Sequence, residues 1–120
     1  MVKMEKNLKQ LVSELGLKCT AGEELLNRVP KGAYVSDLLS DVMGKAQENM
    51  LWITSQAHRN IIAVASLKEL SAIIVVNGRD VEDDVLESAK TEGVVLLSSE
   101  MSSFETAGKL YCYLYEINTR

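Results

Sequence analysis

From Ser71 to Val76 the chain reads Ser-Ala-Ile-Ile-Val-Val, a β-branched run bounded by Asn77 and Gly78. A strand with one wet face alternates apolar with polar residues. A strand apolar at successive positions is covered on both faces, which is the habit of parallel sheets. The run therefore predicts a central strand with helices above and below it, and the rest of the chain has to supply them.

It does so by alternation. Leu17–Thr20, Gly32–Val35, Met50–Thr54 and Val94–Leu97 read as further strands. Leu8, Leu11, Val12 and Leu15 keep helical spacing ahead of Gly16, a C-terminal cap signal. Gly22–Arg28 predicts a short helical turn ended by Pro30, the one proline. Leu39, Val42, Met43 and Ala46 predict a helix behind Ser36 and Asp37, and Ile61–Leu70 one buried over a wide face. Glu82, Asp83 and Asp84 place negative charge on the first turn of a helix carrying Val81, Val85 and Ala89 inward and closed by Gly93. Ser102 and Glu105 stand at capping-box spacing before a last helix whose apolar side is expected to hold Phe104, Ala107, Tyr111, Leu114 and Tyr115, with Tyr113 facing elsewhere. Strands alternating with helices imply right-handed crossovers. The expected fold is α/β, a three-layer sandwich with a mostly parallel sheet, and residues 1–120 read as a single α/β domain.

At 120 residues the chain can bury about two thirds of its unfolded surface. A composition 47% hydrophobic and 25% charged points to neither disorder nor a coiled coil. Thirteen basic residues against 17 acidic ones, with the basic ones scattered, argue against nucleic-acid binding, which needs a clustered positive surface. No apolar run approaches the roughly 18 residues of a membrane helix, and Met1–Gln10 reads as a charged helix without a signal-peptide core. A cytoplasmic protein without membrane contact is expected. Cys19 and Cys112 lie far apart and form no CxxC pair, so they read as buried reduced thiols rather than a disulfide or metal site.

In parallel sheets ligands bind beyond the carboxyl ends of the strands, so the loops there are the candidates. The densest is Thr54-Ser55-Gln56-Ala57-His58-Arg59-Asn60 at a predicted helix N-terminus, where free N–H groups favour an anion. His58 is the one histidine, so any imidazole chemistry must use it. The competing reading is that Asn60 or a neighbour caps the helix while His58 and Arg59 are solvated. Asn77-Gly78-Arg79-Asp80 follows the central run; Asn77 and Gly78 suit either a close approach to a ligand or an ordinary turn, and the segment is neither a Walker nor a GxGxxG loop. Ser98 to Ser103 offers hydroxyls, with Ser99 and Ser103 as candidates, but no GxSxG elbow. Asp37 and Asp41, read as one turn apart on a helix, would suit a divalent metal or acid–base work, although helix starts favour acids anyway. The tyrosines at 111 and 115 are one turn apart and suit packing, and the aromatic-rich last helix also suits a dimer surface.

The run Tyr34-Val35-Ser36-Asp37-Leu38-Leu39-Ser40-Asp41-Val42-Met43, followed by Leu51-Trp52-Ile53-Thr54 with Gln56, His58, Asn60 and Ala63-Val64-Ala65, resembles the small DRTGG-domain proteins. The resemblance continues through Ile73–Gly78 and Ser103-Phe104-Glu105 and spans roughly residues 10 to 115. It implies a fold like the N-terminal domain of HPr kinase/phosphorylase, and a domain that occurs alone or joined to CBS domains, phosphotransacetylases or cobyrinic acid synthase-like proteins. It also implies a homodimer and, for stand-alone members, an association with iron-hydrogenase and redox-signalling components. The name-giving Asp-Arg-Thr element stands here as His58-Arg59-Asn60 and the Gly-Gly pair as Asn77-Gly78, so Arg59 and Gly78 alone are carried over. The catalytic half of the kinase, with its phosphate loop, has no counterpart.

Three functions follow. The first is a non-catalytic regulatory module, a homodimer that senses a small anionic or nucleotide-like ligand through Thr54, Gln56, His58, Arg59, Asn60, Asn77, Gly78, Ser99 and Ser103. The second is an interaction or assembly module for a redox enzyme or kinase. The third is a small hydrolase or transferase using His58 with Asp37 or Asp41, disfavoured because nucleophile, base and stabiliser do not converge. No cofactor or metal is expected in the first two.

Overall fold

In the computed structural model, which describes residues 6–117, the Ser71–Val76 run becomes the middle strand of a five-stranded sheet. The strands are β1 (Lys18–Ala21), β2 (Ala33–Val35), β3 (Leu51–Thr54), β4 (Ala72–Val75) and β5 (Leu96–Ser98), in the order β1-β5-β4-β3-β2. β2 through β5 are parallel neighbours. β1 is antiparallel to β5, with an irregularity in register between Cys19 and Ala21.

Both faces are covered, as the uninterrupted apolar strands demand. α2 (Leu39–Lys45), α3 (Asn60–Lys68) and α4 (Asp83–Glu92) bury Val42, Ile61, Ile62, Val85 and Ala89 against Trp52, Ile73, Val75 and Leu96. α1 (Leu8–Leu15) and α5 (Ser103–Leu114) bury Leu8, Leu11 and Leu110 against Leu51, Ile53, Ile74, Val76, Val95 and Leu97. Successive strand residues thus feed opposite cores, and the three-layer expectation stands.

Local signals place the helix ends. Gly16 and Gly93 close α1 and α4 in the left-handed conformation, and Ser102 and Glu105 form the expected capping box on α5. A second box, Asn7 with Gln10, starts α1. The charged helix expected from Met1 to Gln10 therefore begins only at Leu8, and Met1–Glu5 lie outside the described residues. The Gly22–Arg28 turn shrinks to a 3-10 turn at Glu23–Leu25.

Two expectations are corrected. α5 turns its aliphatic arc, Ala107, Leu110 and Leu114, to the core together with Tyr113, while Phe104, Tyr111 and Tyr115 are exposed by 87%, 58% and 55%. Both arcs are apolar, so periodicity cannot choose between them. Asp37 is not on α2, whose N-cap is Leu38, and so the Asp37–Asp41 pair on one helix face does not form. Among the described residues no helix is long and apolar enough to cross a membrane.

Candidate functional site

Because the helices after β2, β3 and β4 share one face while α5 follows β5 onto the other, the connections diverge between β4 and β5. Such a divergence opens a crevice at the carboxyl end of a parallel sheet. Here the two connections are joined by main chain: Asn77 N–H donates to Met101 O at 2.8 Å and Gly78 N–H to Ser99 O at 2.9 Å. Asn77 and Gly78 both take positive φ, 64° and 61°, the pattern of a type I′ turn. A Cβ at Gly78 would meet only the movable end of the exposed Glu100 side chain, at 2.8 Å, so it is the positive φ that favours glycine in this turn.

The neighbouring loops are joined by a carboxylate. Asp37 Oδ1 accepts from the Ser55 N–H at 2.7 Å and from the Thr54 hydroxyl at 2.9 Å, and Oδ2 accepts from the Ser55 hydroxyl at 2.8 Å. Gln56 Nε2 donates to the Asp37 carbonyl at 3.2 Å, and Arg79 reaches back from the turn after β4 to donate to the Ser55 carbonyl at 2.8 Å. Partial burial pulls the Asp37 carboxyl upward, but the Ser55 N–H, the two hydroxyls and the Arg79 charge outweigh it and hold it below the usual carboxylate range. Ser36, next to it, is anchored by Trp52, whose Nε1–H donates to the Ser36 carbonyl at 2.8 Å. Asp41 has other partners: the Tyr34 hydroxyl donates to it at 2.9 Å and, with the Ser36 hydroxyl and the Lys45 charge, lowers its pKa.

The sequence candidates fall into two groups. Thr54 and Ser99 are fully buried and their hydroxyls are taken: Thr54 Oγ1 also accepts from the Gln56 N–H, and Ser99 Oγ pairs with Thr106 Oγ1 at 2.9 Å and accepts from the Met101 N–H. They set the loop shapes. Gln56, His58, Arg59, Asn60 and Asn77 are exposed, Gly78 and Ser103 half-buried, with Ser103 the first residue of α5 behind its cap Ser102. Neither Asn60 nor Arg59 caps α3 with its side chain. His58 Nδ1 instead accepts from the Asn60 N–H at 3.3 Å, which leaves Nε2–H as the outward donor of the neutral ring. Asp37 and Arg79 are what the sequence reading did not assign to ligand contact. Arg79 was within sight, one residue past the turn that ends a central strand, where a basic residue faces the same edge.

Among the described residues no group of three or more His, Cys, Asp or Glu side chains is placed to hold a metal. Cys19 and Cys112 are free and half-buried rather than buried; burial, with Glu23 nearby, pushes the Cys19 thiol up.

A doubly covered, mostly parallel sheet with polar loops tied together at its carboxyl edge defines a layered α/β domain. The chain belongs to the DRTGG-domain family, whose model matches residues 10–111. Its fold is similar to that of the CBS and DRTGG domains of the regulatory region of Clostridium perfringens pyrophosphatase, crystallised with its activator diadenosine tetraphosphate. That likeness has a TM-score of 0.70 at 18% identity and covers 85% of this chain but 44% of the other, so it carries the fold. No curated protein matches the chain.

Proposed function

We propose that the chain is a regulatory, non-catalytic module that senses a small anionic or nucleotide-like ligand at the strand-end loops. The carrying observation is that Asp37, Ser55 and Arg79 tie three of these loops into one unit while Gln56, His58, Arg59 and Asn77 stay exposed around it. Gln56, the Nε2–H of His58, the Arg59 and Arg79 guanidinium groups, Asn60, Asn77 and Gly78 form the binding face, with Ser103 at its margin and Thr54 and Ser99 as its supports. The nucleotide bound by the clostridial regulatory region agrees with this chemistry. A cytoplasmic setting belongs to the reading, since both cysteines are free thiols.

The test is a thermal-shift titration of the full chain with inorganic phosphate, AMP, ATP and diadenosine tetraphosphate. A ligand at a hundred times its Kd stabilises by about 2.7 kcal/mol, a rise of roughly 10 °C for a domain of this size. Arg79→Ala and Arg59→Ala are expected to remove most of that rise. A flat response to all four compounds overturns the reading.

We also infer a homodimer through α5. Phe104, Gly108, Tyr111 and Tyr115 form one exposed stripe, and nothing lies within 4 Å of a Cβ at Gly108. An antiparallel two-fold pairing near this glycine sets Phe104 of one copy beside Tyr111 of the other and brings Glu105 near Lys109. Sedimentation equilibrium is expected to give twice the chain mass for the wild type and a monomer for Phe104→Glu/Tyr111→Glu. A monomeric wild type excludes the dimer and turns the stripe toward the assembly-module reading, with a redox enzyme or kinase as its cover.

A further inference from the structure

We propose that Asp37 is an internal anion occupying the donor set of the β3–α3 loop, and that a phosphate-bearing ligand binds by displacing it. The inference rests on the ligand-sensing reading and adds its regulation. One backbone N–H and two hydroxyls, all within 2.9 Å, converge on the two oxygens of this carboxylate. With a guanidinium behind them, such convergent donors are what protein loops commonly present to phosphate oxygens.

The donors and the acceptor are not equally fixed. Thr54 is fully buried at the end of β3, and Ser55 is held further by Arg79 through its carbonyl. Asp37 is exposed and lies on the short connection to α2, a seven-residue helix with no side-chain cap. On either side of it the chain is anchored, Ser36 by Trp52 and Asp41 by Tyr34. Between them and ahead of α2 lie Asp37 and Leu38, held besides the carboxylate by the Gln56 amide on the Asp37 carbonyl and by the Ser36 hydroxyl on the Leu38 N–H, and this is the segment that responds. It contains Leu38, 63% exposed, whose position changes when the carboxylate leaves. Ligand binding is thereby converted into a change of surface shape beside the site, which is what a sensor needs.

A tethered competitor acts at millimolar or higher effective concentration, so neutralising it tightens phosphate binding by about tenfold or more. Calorimetric titration with inorganic phosphate and with AMP, on the full chain, compares the wild type with Asp37→Asn and Asp37→Glu. The expected result is at least tenfold tighter binding by Asp37→Asn and near wild-type binding by Asp37→Glu, which keeps the carboxylate. Unchanged or weaker binding by Asp37→Asn overturns the displacement; the site itself still stands if wild-type binding is lost in Arg79→Ala. If neither the wild type nor Asp37→Asn binds either compound, the displacement falls, and the four-compound thermal-shift titration decides the ligand-sensing reading separately. If Asp37→Asn does not fold, carbon NMR of the Asp37 carboxyl in the wild type decides: a shift that saturates with phosphate supports displacement, and an unmoved signal overturns it.

Discussion

Trp52→Ala is expected to cost about 3–5 kcal/mol, the range for deleting a fully buried large aromatic side chain. Trp52 is 0% exposed on β3, in register with Tyr34 and Ile73, and packs in the core shared with α2, α3 and α4. Its loss removes apolar contact on a strand with a neighbour on each side, so no edge can collapse into the space. Domains of this size have about 5–15 kcal/mol of stability in all, and the variant should lose about a fifth of it or more. The ring also donates to the Ser36 carbonyl, and this bond ties core to site. Trp52→Phe keeps an aromatic ring in the core but loses the donor and part of the buried volume, and about 1–3 kcal/mol is expected from the two losses together. Urea unfolding followed by far-ultraviolet circular dichroism checks both; a shift under 1 kcal/mol for Trp52→Ala contradicts the packing described here.

Gly22→Ala is the second substitution with a large expected effect. Gly22 takes φ +88° just before the 3-10 turn, and a Cβ there would lie 2.9 Å from Val95 Cα, 3.0 Å from Val95 Cγ2 and 3.2 Å from the Val94 carbonyl oxygen. The left-handed backbone costs an alanine about 1–2 kcal/mol. Contact with main-chain atoms on a fully buried residue adds about 1–3 kcal/mol, because neither side can swing away. A total near 2–5 kcal/mol is expected. Gly93, at φ +69°, is the internal control, since nothing lies within 4 Å of a Cβ there and Gly93→Ala carries the backbone cost alone. Equal losses for the two alanines would show that the contact at Val95 contributes nothing.

The comparison of these glycines shows where local signals end. Gly93 closes a helix whose period and acidic first turn are written in ten consecutive residues, so the sequence reads it correctly. Gly22 is read as the start of a turn, yet its necessity comes from Val95, on the far side of a pairing between β1 and β5. The same division runs through the site. Thr54, Gln56, His58, Arg59, Asn77 and Gly78 are legible as polar residues after apolar strands. The Asp37 clasp is not, because it joins residues 17 and 18 positions apart through the register of β2 and β3.

By itself the sequence determined the α/β class, the five strands, the covering of both sheet faces and the caps at Gly16, Gly93 and Ser102, since each depends on periodicity or on neighbours within a turn. The tertiary structure alone decided the antiparallel edge strand β1, the arc that α5 turns inward, and which polar groups are consumed in holding the loops. Those outcomes are set by distances between segments that meet only when the sheet closes. Asp37 was read as a helix-start acid; its place against Ser55 is the clearest instance.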